Sequence, residues 1–158
     1  MTLAVCPGSF DPITLGHVDV VRRARGLFDE VVVGVAMNAR KSYLFDDETR
    51  LALAREAVAD IPGVRVQLVE GLLATFCREI GADAIVKGLR GAADFDNEQT
   101  MALLNRHLTG VETLFVLGDP GLAHVASSLV KDVARHGGPI DDLVPPGVAR
   151  ALPAALAR

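Results

Sequence analysis

The chain has 158 residues, half of them hydrophobic and 23% charged, with a net charge of −4. That is enough apolar material for one buried core, so residues 1–158 are read as a single domain. The acidic balance excludes broad binding to a nucleic-acid backbone, which needs many cations, and 4% aromatics with no Trp excludes a base-stacking platform.

Leu3–Cys6 is a short apolar run and reads as a strand. Pro7-Gly8-Ser9-Phe10-Asp11-Pro12-Ile13-Thr14-Leu15-Gly16-His17 reads as the loop that leaves it, with a helix beginning near Thr14–His17. Val18, Val21, Ala24, Arg25 and Phe28 then recur at helical spacing over Val18–Phe28. Glu30–Ala36 is the second strand, and Asp46-Asp47 caps a helix over Glu48–Val58. Val64–Val69 is the third strand. Leu72–Ile80 is a helix ending at Gly81, a glycine placed for the left-handed position after a helix. Ala84–Val86 and Thr113–Leu117 are the fourth and fifth strands, separated by a helix over Phe95–Leu108. A helix over Ser127–Arg135 follows, with Ser127 or Ser128 placed to cap it. The last segment, Pro146–Leu156, is rich in Ala and Pro and is expected to cover the outside.

The strand runs are mostly apolar without alternation, as in strands covered on both faces. Strand–helix alternation therefore predicts an α/β fold: a doubly wound, Rossmann-like parallel sheet of about five strands with helices on both faces. No apolar run reaches membrane-spanning length and none has a signal-peptide pattern, so a cytoplasmic protein with no membrane partner is expected. Cys6 and Cys77 lie in apolar runs without metal spacing and read as buried free thiols, compatible with a reducing compartment.

In such folds ligands sit at the carboxyl ends of the strands. Five segments meet that edge: Ser9, Thr14 and His17; Asn38, Arg40 and Lys41; Glu70 to Leu73; Lys87-Gly88-Leu89-Arg90-Gly91; and Gly118-Asp119-Pro120-Gly121 with Ser127-Ser128. Free N–H groups and the helix dipole at the start of the first helix favour an anion there. A dinucleotide GxGxxG, a P-loop, a serine nucleophile elbow and a metal-ligand cluster are all absent. Lys41 alone would read as a loop lysine, and Lys87 as a strand end. Together with His17 and Arg90 they form a cationic set that suits phosphoryl or nucleotidyl transfer, where positioning and charge stabilisation do most of the catalysis. Asp94, Asp96 and Glu98 read as a solvated helical turn, with Glu98 placed to face a base.

The Pro7–His17 segment resembles the [T/H]xGH motif of the nucleotidyltransferase superfamily. With Gly88-Leu89-Arg90, Asp94-Phe95, Asn105-Arg106-His107 and Ser127-Ser128-Leu129-Val130-Lys131-Asp132-Val133, nearly the whole chain is similar to the bacterial phosphopantetheine adenylyltransferase family. The resemblance implies one nucleotidyltransferase domain that moves AMP from ATP to 4′-phosphopantetheine, giving dephospho-coenzyme A and pyrophosphate. It implies His17, Lys41 and Arg90 as catalytic, and Ser9, Lys41, Leu73 and Lys87 against phosphopantetheine. It implies Ser9, Phe10, His17, Gly88, Leu89, Arg90 and Glu98 against ATP, with Leu122, Ala123, His124, Val125, Ala126, Ser127 and Ser128. It further implies magnesium delivered with ATP rather than held by a protein cage, coenzyme A as a feedback ligand, and a homohexamer. The family pattern departs here at Asn97, where an aromatic is usual, and in Leu122–Ser128, which lacks two aromatics and, at Ala126, one serine. Two alternatives stand beside this reading: a transferase for another phosphate acceptor or nucleotide, and a non-catalytic paralogue that binds coenzyme A or a nucleotide.

Overall fold

In the computed structural model, which describes residues 1–158, five strands form one parallel sheet. They are β1 (Leu3–Gly8), β2 (Glu30–Ala36), β3 (Val64–Val69), β4 (Ala84–Leu89) and β5 (Glu112–Leu117), in the order β3-β2-β1-β4-β5. The helices are α1 (Leu15–Leu27), α2 (Asp47–Ala57), α3 (Leu73–Glu79), α4 (Ala92–Thr109), α5 (Ser127–Arg135) and α6 (Pro146–Leu156), with a short 3-10 turn at Pro120–Leu122.

Strand side chains alternate between two cores, as a pleated strand requires. Ala4, Cys6, Val31, Val33, Val35, Val66 and Val86 pack beneath α1, α2, α5 and α6. Val5, Val32 and Ile85 face the other way, onto Cys77 of α3. Helices thus cover both faces, and the expected doubly wound fold is the one observed.

Two strands run longer than their apolar stretches. β1 continues through Pro7 and Gly8, which pair with Gly34 and Val35, and β4 continues through Lys87–Leu89 against Phe115–Leu117. A parallel ladder is made by backbone groups, so it does not stop where side chains become polar. Pairing between β1 and β4, in contrast, ends at Val5–Ile85. Beyond that point the two central strands pair only outward, and the sheet is split at its switch in strand order.

Helix ends follow local chemistry, with one correction. Thr14 caps α1 and Asp46 caps α2, its carboxylate accepting from the Thr49 N–H at 2.8 Å. Gly81 and Gly110 adopt positive φ after α3 and α4. Neither Ser127 nor Ser128 caps α5: Ala126 holds that position without a side-chain bond, and the Ser127 hydroxyl donates to the Pro12 carbonyl at 2.8 Å. Gly88 allows α1 to sit close on β4, because a Cβ there would lie 2.4 Å from Val20 Cγ2.

The last helix is more than an outer cover. Val148 and Leu152 are fully buried in the larger core. Leu152→Ala is therefore expected to lower the unfolding free energy by about 2–5 kcal/mol in urea titration, the range for deleting a buried leucine side chain. A loss below ~1 kcal/mol would return α6 to a peripheral role.

Candidate active site

The split between β1 and β4 opens into a cavity of about 430 Å³. Its walls are Cys6 to Gly8 of β1, Val86–Arg90 at the end of β4, Asp94, Asn97 and Glu98 of α4, and Leu122, Val125, Ala126 and Ser127 before and at the start of α5. A second cavity of about 370 Å³ is lined by Ser9, Asp11, Lys41, Ser42, Tyr43, Ser128 and Lys131. The two share Phe10, His17 and Ser127.

His17 sits at that junction because it belongs to the cap of α1. Its Nδ1 accepts the Thr14 backbone N–H at 3.0 Å, while its own N–H donates to Thr14 Oγ1 at 3.3 Å. This is a capping box with histidine in the position usually held by Glu or Gln. An Nδ1 that accepts a backbone N–H carries no proton, so the neutral ring carries its proton on Nε2. Burial lowers the His17 pKa from 6.5 to about 4, with smaller contributions from Arg90 and then Lys87. Phe10 meets the ring edge-on, with centroids 5.0 Å apart. Phe10 holds φ at 48°, unusual for a non-glycine residue, and its ring lies over Gly8, where a Cβ would come within 3.1 Å.

The start of α1 has fewer free N–H groups than its sequence suggests. The Leu15 N–H donates to the Leu143 carbonyl at 3.0 Å and the His17 N–H to Thr14. Only Gly16 keeps an unengaged N–H in the first turn. Anion attraction at this helix start therefore rests on side chains more than on backbone.

Each cation near the site has a local partner. Lys87 Nζ lies 3.0 Å from Glu98 Oε1. Arg90 pairs with Asp94, Nε to Oδ2 at 3.3 Å, and donates from NH1 to the Val125 carbonyl at 3.1 Å. Lys41 Nζ lies 3.4 Å from Ser9 Oγ. The Cys6 thiol, on the cavity wall, is pushed up to about 12 by burial, against a smaller opposing effect of Lys87, and stays protonated. Cys6 and Cys77 are both buried and free.

His17, Gly88, Leu89, Arg90, Glu98, Leu122, Val125 and Ala126 thus meet in the first cavity, and Ser9, Lys41 and Ser128 in the second. Lys87 stands in the first cavity beside Glu98, apart from Ser9 and Lys41. Ala123 and His124 are exposed and line neither cavity. Leu73 also lines neither and packs at the start of α3 against the smaller core.

Other contacts that shape the site gave no signal in the sequence. The Asp11 carboxylate, 5% exposed, accepts from the N–H groups of Leu44 and Phe45 at 2.8 and 2.9 Å and pairs with Lys131 at 3.2 Å. Asp19 accepts from the Asp119 N–H at 2.7 Å and so ties α1 to the segment after β5. These partners lie far apart in the chain, where no spacing rule reaches.

Residues 5–133 match the Cytidylyltransferase-like family model. The chain is 55% identical over 157 residues to the phosphopantetheine adenylyltransferase of Nocardioides sp. JS614, covering 99% of each chain. It is 53% identical to that of Micrococcus luteus, covering 96% of this chain and 98% of the relative. A solved structure from Vibrio parahaemolyticus, provisionally described as a nicotinate-nucleotide adenylyltransferase, superimposes with a TM-score of 0.73 at 20% identity, covering all of this chain and 96% of that one, which supports the fold alone. With full-length relatives above half identity and a family model spanning most of the chain, the protein belongs to the phosphopantetheine adenylyltransferase family of the cytidylyltransferase-like proteins.

Proposed function

We propose that the protein transfers AMP from ATP to 4′-phosphopantetheine, releasing pyrophosphate and dephospho-coenzyme A in coenzyme A biosynthesis. The observation that carries this reading is the junction of two cavities at one neutral imidazole, with cations on both sides. The first cavity receives the nucleotide, walled by Gly88, Leu89, Glu98, Leu122 and Val125. The second, with Ser9, Lys41, Ser128 and Lys131, receives anionic groups that meet the α-phosphate beside His17.

An oxygen of the acceptor phosphate forms a bond to the α-phosphorus, and the bond from that phosphorus to the α,β-bridging oxygen breaks. The acceptor is largely dianionic near neutrality, since a phosphate monoester has its second pKa near ~6, so no strong general base is needed. His17 Nε2–H donates to a non-bridging oxygen as charge builds in the transition state. It does so as a neutral donor and does not transfer its proton. Lys41, Lys87 and Arg90 offset the repulsion between the two anions.

Magnesium enters as part of the substrate, bound to the triphosphate. The carboxylates around the first cavity are already engaged: Asp94 with Arg90, Glu98 with Lys87, and Asp19 with the Asp119 N–H and Arg23. Such an arrangement suits an ion that keeps its waters and phosphate ligands. Coenzyme A, which contains the acceptor arm, is proposed as a feedback ligand of the same site. Buried free thiols suit a reducing cytoplasm, where we place the protein; no helix is long and apolar enough to cross a membrane. Exposed Met101, Leu103, Leu104 and Leu108 on α4, with Leu114 on the edge strand β5, support self-association into a homohexamer.

Pyrophosphate release from ATP and 4′-phosphopantetheine tests the reaction, and His17→Ala should lower kcat by roughly a hundredfold or more. An unchanged rate would remove His17 from the chemistry, and no turnover by the native chain would refute the proposal. For the protonation state, long-range 1H–15N NMR is expected to place the His17 proton on Nε2 with no titration between about pH 8 and 5.5. The sign follows from the lowered pKa. Below about 6.5 the unfolded chain takes up a proton that the folded chain refuses until about 4, so this group's contribution makes stability fall as pH drops through that window. A His17 midpoint above about 6 would contradict the neutral-donor role. Light scattering should give a hexamer mass that Leu104→Glu reduces; a native monomer would overturn the assembly.

A further inference from the structure

Arg50 of α2 is fully buried, with no exposed side-chain area. Burying a guanidinium is costly unless it is fully engaged, and a Leu or Met of similar volume would fill the same space without that cost. Its contacts indicate why a charge stands there. One nitrogen, NH1, donates to the Ser9 carbonyl at 2.7 Å and to the Ala36 carbonyl at 2.8 Å. NH2 pairs with Asp47, and the guanidinium carbon lies 3.9 Å over the Tyr43 ring. Nε is buried without a partner, which adds to the cost of keeping the charge inside.

The two carbonyls are informative because of where they lie. The β1–β2 ladder ends at Gly8–Val35. Ser9 and Ala36 come next on each side: Ser9 is the first residue past β1, and Ala36 is the last of β2, paired on its other side with Val69 of β3. Arg50 therefore extends the pairing one step, with a side chain in place of backbone. The loop that leaves β2 carries Lys41, whose Nζ lies 3.4 Å from Ser9 Oγ. Its far end is pinned by Asp11, which accepts from Leu44 and Phe45. Arg50 and Asp11 thus hold the two ends of the Lys41 loop against the β1–α1 loop. Neither the hydrogen bonds of Arg50 nor its ion pair and ring contact reach Lys87–Arg90, Glu98 or Leu122–Ala126 across the site.

We infer that Arg50 is a positioning residue for the acceptor side of the site, setting the distance between Ser9 and Lys41 by bridging the carbonyls of Ser9 and Ala36. The inference rests on the proposed adenylyl transfer. It predicts an asymmetric defect that a residue needed only for core packing would not produce.

Arg50→Lys keeps the charge but loses the planar fork that reaches several acceptors at once. Steady-state kinetics with both substrates varied should show KM for 4′-phosphopantetheine raised roughly tenfold and KM for ATP changed less than about threefold, as expected for a small misplacement of one wall. Equal changes in both constants, or none beside a lowered Tm, would overturn the inference. Should Arg50→Lys fail to fold, Asp47→Asn decides. It loosens the guanidinium from its partly exposed partner and should give the same split at smaller size; no split there also overturns the inference. If the native chain shows no turnover, the proposed function fails, and amide exchange in Arg50→Lys reads Arg50 independently. Faster exchange confined to residues 37–46 supports it, and a uniform increase overturns it.

Discussion

Everything at this site depends on where β1 and β4 stop pairing. Up to Val5 and Ile85 they form an ordinary parallel ladder. Past that point β1 stays with β2 and β4 stays with β5, each for several more residues. Right-handed crossovers send the chain from β1 to one side of the sheet and from β3, by α3, to the other, so no connection fills the gap between the central strands. The gap becomes the larger cavity. Gly88 then lets Val20 and α1 settle directly on β4, which brings the cap of α1, and so His17, to the mouth of that gap.

Electrostatics build on this geometry. Lys87 and Arg90 are each held by a carboxylate of α4, Glu98 and Asp94. These two acids are four positions apart and so share one face of the helix. Both pairs are partly exposed, where ion pairs are typically worth about 1 kcal/mol or less. A polyphosphate carries more charge than a single carboxylate and can displace either partner at small cost. The same two cations lower the His17 pKa, although burial has the larger effect. The ring stays neutral beside positive charge, and the cations stay available for anions.

How much of this was legible in the sequence follows from which forces leave local traces. The five strands and their order of appearance were legible because a sheet covered on both faces demands continuous apolar runs, and Val31–Val35 or Ile85–Val86 supply them. Gly81 was legible because a left-handed backbone after α3 favours glycine. The outer residues of β1 and β4 were not, since Pro7, Gly8, Lys87 and Gly88 belong to strands only through backbone pairing. Ser127 looked like a cap, but its hydroxyl goes to Pro12, 115 positions away. Arg50 carries no mark in the sequence that sets it apart from Glu48 and Arg55 of the same helix. Its partners are main-chain carbonyls of other elements, which have no letter in the sequence. His17 and Arg90, which line one cavity, could be picked out as candidate site residues because glycines and a helix start surround them. The bonds that orient them could not.

The capping box of α1 shows how fold and chemistry meet in one side chain. The position three residues after a Thr cap is best served, for helix stability, by Glu or Gln, whose oxygen accepts the cap's N–H. A carboxylate there would repel the anions that the proposed reaction brings to Lys41, Lys87 and Arg90. Gln would cap without charge, but its flexible chain fixes its amide less firmly than a planar ring fixes a nitrogen. Histidine accepts the Thr14 N–H through Nδ1, and that same bond leaves Nε2 as the donor. The bond that starts the helix therefore also sets the tautomer, and the edge-on contact with Phe10, itself held over Gly8, packs against the ring. Local stability alone would not choose histidine at this place; the proposed transfer would, because it needs a stiff, neutral N–H where the two cavities meet.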